Sequence, residues 1–169
     1  MKSIYTNKVL KVLVIFLVGI LALACDKHED YVPGKTALTE SSGDWFIRLL
    51  IDGEDIYGLG YNLITTANSA DETSLWIDDH HAIWDFKTKC PINAETMKFS
   101  GSDLASNVDG YEVDVTISNG AIFKDAVEST GGNVVDSIYF EAEFSDDPNP
   151  GTIYQFAGYK RTGLAEDEH

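Results

Sequence analysis

The sequence predicts an all-β domain folded as an up-and-down antiparallel barrel of about eight strands. From Asp44 onward, short β-branched and aromatic runs alternate with clusters of Gly, Asn and Asp. No segment holds a helical spacing over about 12 residues. Consecutive runs are joined by short turns, so neighbours in sequence read as adjacent hairpins, which suits a closed sheet better than a sandwich. The 169 residues are 44% hydrophobic and 11% aromatic, enough apolar side chain for one real core.

The first strand is read over 45–51 and the second over 56–66, with Asp52-Gly53-Glu54-Asp55 as an acidic turn between them. Gly58 and Gly60 lie two apart on one face, where a barrel corner bends or backbones approach closely. Strands over 74–78 and 83–89 follow, joined through Asp79-His80-His81-Ala82, and Pro91 ends the second or marks an edge. A hairpin is predicted from 111–117 to 121–124 across Asn119-Gly120, a pair suited to the positive φ angles of a type I′ turn. The strand over 137–144 sets Ile138, Phe140, Ala142 and Phe144 against Tyr139, Glu141 and Glu143, one dry face and one wet. A last strand covers 152–159. The barrel domain is placed at 44–163, with a frayed acidic tail at 164–169.

The N-terminal segment reads as an address. Residues 1–24 carry Lys2, Lys8 and Lys11 and then run apolar from Val12 to Ala24, a basic region followed by a short hydrophobic one. That run is short of the roughly 20 residues a bilayer span needs. It closes on Leu21-Ala22-Leu23-Ala24-Cys25, which resembles a bacterial lipobox, the motif whose cysteine is acylated. The expected product is a chain lipid-anchored through Cys25 to the outer membrane of a Gram-negative bacterium, with 25–43 as a flexible tether. Acidic residues directly after Cys25 resemble surface-export signals and point outward.

Charge narrows the function. Twelve Lys and Arg stand against 28 Asp and Glu, a formal −16, so phosphate backbones are repelled and nucleic acid is not an expected partner. Two cysteines, Cys25 and Cys90, are too few for a disulfide scaffold or a cysteine zinc site. With Cys25 acylated, Cys90 reads as a buried, inert thiol.

The polar candidates cluster at one turn. Asp78, His80, His81 and Asp85 combine imidazole and carboxylate groups, which suit a divalent ion or a paired acid and base. Adjacent strand residues point to opposite faces, so His80 and His81 face one ion only if the turn bends them together. The competing reading has Asp78 and Asp85 fixing the turn or pairing with Lys87 or Lys89, and it is preferred: no metal and no cofactor are expected. The strained Gly-x-Ser-x-Gly turn of many serine hydrolases is absent. The aromatics are the stronger signal, and Trp45, Tyr61, Trp76, Trp84, Phe140 and Phe156 are the candidate ligand-binding residues.

Leu75-Trp76-Ile77-Asp78-Asp79, Ile83-Trp84-Asp85-Phe86-Lys87, Cys90-Pro91, the stretch 113–120, Asp136-Ser137-Ile138 and the ending Tyr159-Lys160-Arg161-Thr162-Gly163 together resemble the lipid-binding putative hydrolase family of bacterial lipoproteins. The resemblance implies a calycin, a lipocalin-like barrel, with a greasy ligand, and it implies no defined catalytic set. The expected function is therefore a non-enzymatic lipocalin-like lipoprotein holding a small apolar ligand inside the barrel. Two alternatives remain open. One is a lipid or ester hydrolase using the 78–85 turn; the other is a glycan-capture or scaffold component of an envelope complex with protein partners.

Overall fold

The computed structural model describes residues 34–169. The segment 1–24 read as a signal, Cys25, and the part of the expected tether up to residue 33 lie outside the described residues. Eight strands follow in order: β1 (Gly43–Leu50), β2 (Tyr61–Asn68), β3 (Ser74–Asp78), β4 (Lys87–Asn93), β5 (Lys98–Ala105), β6 (Asp114–Glu128), β7 (Val134–Phe144) and β8 (Tyr154–Lys160). Each pairs antiparallel with the next, and β8 pairs back onto β1 to close the barrel. Among the described residues, closure leaves no strand as a free sheet edge.

Period-two patterning sets which side faces in. Trp45, Ile47 and Leu49 of β1 and Ile138, Phe140, Ala142 and Phe144 of β7 are all buried, whereas Arg48 on the opposite side of β1 is exposed. Each large apolar side chain taken out of water contributes roughly 1.5–3 kcal/mol. Phe140 and Phe156 stack at the centre with ring centroids 4.6 Å apart and planes 9° from parallel. Phe99 packs on Phe140 at 5.9 Å and Phe86 edges onto Phe156 at 6.0 Å.

Both ends of this core are covered. Trp45 Nε1 donates to Thr66 Oγ1 at 2.8 Å, and the Thr66 hydroxyl donates to the Ser41 carbonyl at 2.7 Å, so the polar atoms buried there are paired. Leu38, only 1% exposed, and a 3-10 turn at Thr39–Ser41 sit over that end. Residues 38–43 therefore belong to the folded body rather than to a tether. The tail differs from its reading in the same way. Asp167 is fully buried and accepts hydrogen bonds from Gly131 N–H, Asn133 Nδ2 and Thr162 Oγ1. The hydroxyls of Ser129 and Thr162 lead in holding its carboxyl down at about 2. A frayed tail has no such partners.

Several predicted boundaries move. Residues 51–60 form a loop, because the Asp55 carboxylate accepts the Leu59 and Gly60 N–H groups and Gly58 and Gly60 both adopt φ of 65°. β4 starts at Lys87, not at 83, and Pro91 lies within it opposite Ser74. β5 is a strand that the pattern did not show. The Asn119-Gly120 hairpin is not formed: Asn119 has φ of 53° but Gly120 lacks the positive φ of a type I′ turn, and β6 runs through both. The pair is an irregularity between Ser118 and Ala121, after which Ala121 and Ile122 still find Tyr139 and Ile138 on β7. Cys90 is fully buried, and desolvation pushes its thiol up to about 12, which makes it a poor nucleophile at neutral pH.

Candidate functional site

The turn after β3 is organised by one carboxylate. Asp79, 1% exposed, accepts backbone N–H groups from His81 and Phe86 on Oδ1 and from Ile83, Trp84 and Asp85 on Oδ2, at 2.7–3.2 Å. A buried charge is tolerated when its lone pairs are this fully engaged. The wrapped loop holds His80, His81 and Asp85 at left-handed φ of 54°, 61° and 61°.

That geometry separates the four polar candidates. Asp78 takes the Lys87 ammonium at 2.8 Å and the His80 N–H at 3.0 Å. Desolvation opposes its ionisation, but those two donors outweigh it and its carboxyl lies below the ordinary value. His81 and Asp85 contact one another through Nδ1 and Oδ1. The His80 ring keeps Nδ1 3.6 Å from Asp78 and sends Nε2 to Thr65 Oγ1 at 2.7 Å. Asp78, His81, Asp85 and Lys87 line one groove of about 410 Å³ together with Asn107 and Asp109, and His80 is not among the residues that form it. Among the described residues no three His, Cys, Asp or Glu side chains converge to hold a metal ion.

The aromatic candidates divide as well. Trp45, Phe140 and Phe156 are 0% exposed and occupy the centre of the barrel. Trp84 stacks on Phe144 at 4.2 Å and donates Nε1 to Asp146 at 3.0 Å, packing over the barrel end that carries loop 79–86. Trp76 is half-buried, on the opposite face of β3 from Leu75 and Ile77. Tyr61, 37% exposed, is the member that faces an open apolar surface.

That surface is a groove of about 430 Å³ on the outer face of the sheet, where β1, β8 and β7 present Arg48, Leu50, Ala157, Tyr159 and Tyr139 beside Tyr61. Register explains the grouping: Arg48 pairs with Tyr61 on one side and Ala157 on the other, and Ala157 pairs with Tyr139. The far end is closed by Val127 and Glu128, which follow an irregularity in β6 between Phe123 and Val127. The tail packs against two of these side chains. His169 stacks on Tyr61 at 4.3 Å, meets the Phe46 ring edge-on at 4.8 Å and brings Nε2 within 2.5 Å of the Tyr159 hydroxyl.

Apart from Tyr61, none of the residues that form this groove was a site candidate in the sequence, although Ser137, Ile138 and Tyr159 lie in the stretches that carry the family resemblance. The available signal was apolar or aromatic residues on the outward positions of β1 and β8, namely Leu50, Ala157 and Tyr159.

No curated protein matches the chain. A family model described as lipid-binding putative hydrolase matches residues 30–165, nearly all of the described barrel with its tail. With that match on a closed eight-stranded barrel, the chain belongs to the lipid-binding putative hydrolase family.

Proposed function

We propose that the protein is a lipoprotein, anchored to the outer membrane through acylated Cys25, that binds a small lipid-like ligand in the outer groove over β1, β8 and β7. The observation that carries the placement is the contrast between two apolar regions. The barrel centre is filled by Trp45 and the stacked Phe140–Phe156 pair, whereas the outer groove is open and its volume of about 430 Å³ lies in the range of small-molecule sites. The family description supports a lipid as the ligand class, and the lipobox-like ending at Cys25 supports the anchor.

The test is mass spectrometry of lipid retained by the full chain after gentle purification, compared with Ala157→Trp, which places an indole on the groove floor. Wild type is expected to retain a lipid and A157W to lose it; equal retention by the two overturns the groove placement. In the same cultures, Cys25→Ser is expected to abolish acyl incorporation and release the chain from the membrane fraction.

The contact between His81 and Asp85, beside Lys87, keeps ester hydrolysis as a second reading. That reading requires His81→Ala to abolish ester cleavage by the purified protein.

A further inference from the structure

Arg48 sits at the end of the groove opposite Glu128, and its guanidinium has no hydrogen-bond acceptor among the described residues. Its side chain is 45% exposed, and the nearest carboxylate, Asp55, is a loose 3.7 Å away. Asp55 is already engaged: its two oxygens accept Gly60 N–H at 3.0 Å and Leu59 N–H at 3.1 Å, and these bonds, Gly60 foremost, hold its carboxyl below the ordinary value. The ion pair is thus incidental to the loop, and the planar fork of donors stays available. The Tyr61 ring lies 5.9 Å from the guanidinium carbon and restricts where the fork points.

Charge then orients any occupant. In a chain of formal charge −16 an anion is repelled almost everywhere, and Arg48 is the cation lining this groove. Glu128 pairs with Val134, five residues along β7 from Tyr139, the residue in the cross-strand row of Arg48 and Ala157. An anionic head is favoured at the Arg48 end and disfavoured at the Glu128 end, while Ala157, Tyr159 and Val127 offer apolar contact between them.

We infer that the groove takes a single-chain amphiphile with a carboxylate head, the carboxylate bidentate on Arg48 and the acyl chain directed along β8 toward Val127. This rests on the groove reading above and adds the head-group chemistry. A planar carboxylate matches the guanidinium fork, and desolvation of the neighbouring apolar wall strengthens the pair.

Titration calorimetry of the full chain with laurate, dodecanol and lauroyl lysophosphatidylcholine, at pH 8 and low salt, tests it. Wild type is expected to bind laurate about tenfold more tightly than dodecanol. Arg48→Leu is expected to remove that preference by weakening laurate binding more than dodecanol binding, and Arg48→Lys to restore part of it. Equal affinity for laurate and dodecanol in wild type, or a preference that survives R48L, overturns the carboxylate inference while the groove stands. Tighter binding of the lysophospholipid than of laurate overturns it in favour of a phosphate head. Failure of laurate and dodecanol alike to bind overturns the groove reading itself. Arg48 is surface-exposed on the outer face, so an unchanged circular dichroism spectrum separates loss of binding from loss of fold.

Discussion

Asp79→Ala is expected to lower unfolding stability by about 3–5 kcal/mol, because five backbone N–H groups lose a common ionised acceptor. The effect reaches beyond the loop. Phe86, which donates one of those bonds, is fully buried and packs its ring against Phe144 at 5.4 Å and Phe156 at 6.0 Å. Trp84, which donates another, is held over Phe144. Loss of the carboxylate therefore loosens the aromatic cover at one end of the barrel, and the near-ultraviolet dichroism of the indoles should weaken with the urea midpoint. Asp79→Asn keeps one acceptor oxygen and should fall between alanine and wild type. A D79A midpoint that implies a change of less than about 0.5 kcal/mol would show that the loop does not depend on this residue.

Gly158→Ala should be at least as damaging, through sterics alone. Gly158 lies on β8 opposite Ile47 of β1 and Ile138 of β7, at the seam that closes the barrel. A Cβ built there meets the Phe46 carbonyl oxygen at 1.9 Å and the Ile47 Cα at 2.9 Å, both backbone atoms that no rotamer change can move. Relief requires β1 and β8 to separate, which sacrifices ladder hydrogen bonds in addition to the ~1–3 kcal/mol of ordinary overpacking. G158A is expected to express as a destabilised or unfolded chain. Gly34→Ala is the matching control, since its Cβ meets nothing within 4 Å, and it should stay within about 0.5 kcal/mol of wild type. A G158A protein with wild-type stability would contradict the close β1–β8 approach.

Residue pattern carried the fold class because a barrel core imposes strict alternation where strands are long and one face is dry. Trp45-Ile47-Leu49 and Ile138-Phe140-Ala142-Phe144 state that alternation in sequence, and both strands lie where it placed them. β5 went unseen because Lys98–Ala105 buries only Phe99 and, apart from partly buried Leu104, otherwise carries polar or small residues, so no period stands out. The Asn119-Gly120 pair misled because turn propensity is local, whereas the outcome depends on β7 continuing alongside. Asn119 Nδ2 donates to Glu141 at 2.7 Å, and the β6 chain gains more by pairing on past that point than by reversing.

The polar site was legible as a cluster but not in its geometry. Nothing in Trp76-Ile77-Asp78-Asp79 indicates that the second carboxylate turns inward to gather five N–H groups while the first pairs with Lys87. The aromatic site was legible in kind and not in place. Counting rings suggested a lined cavity, but whether rings face a void or one another depends on stagger between distant strands, as the Phe140–Phe156 contact shows. The outer groove depends on register across β2, β1, β8 and β7 together, and on a tail that folds back onto Tyr61 and Tyr159.

Isotope-filtered nuclear Overhauser spectra of the protein saturated with laurate locate the bound chain directly. Cross-peaks from the acyl methylenes to Tyr61, Ala157 and Tyr159, with the terminal methyl near Val127, are the predicted result. Cross-peaks to the Phe140 and Phe156 rings would place the ligand at the barrel centre and contradict the account.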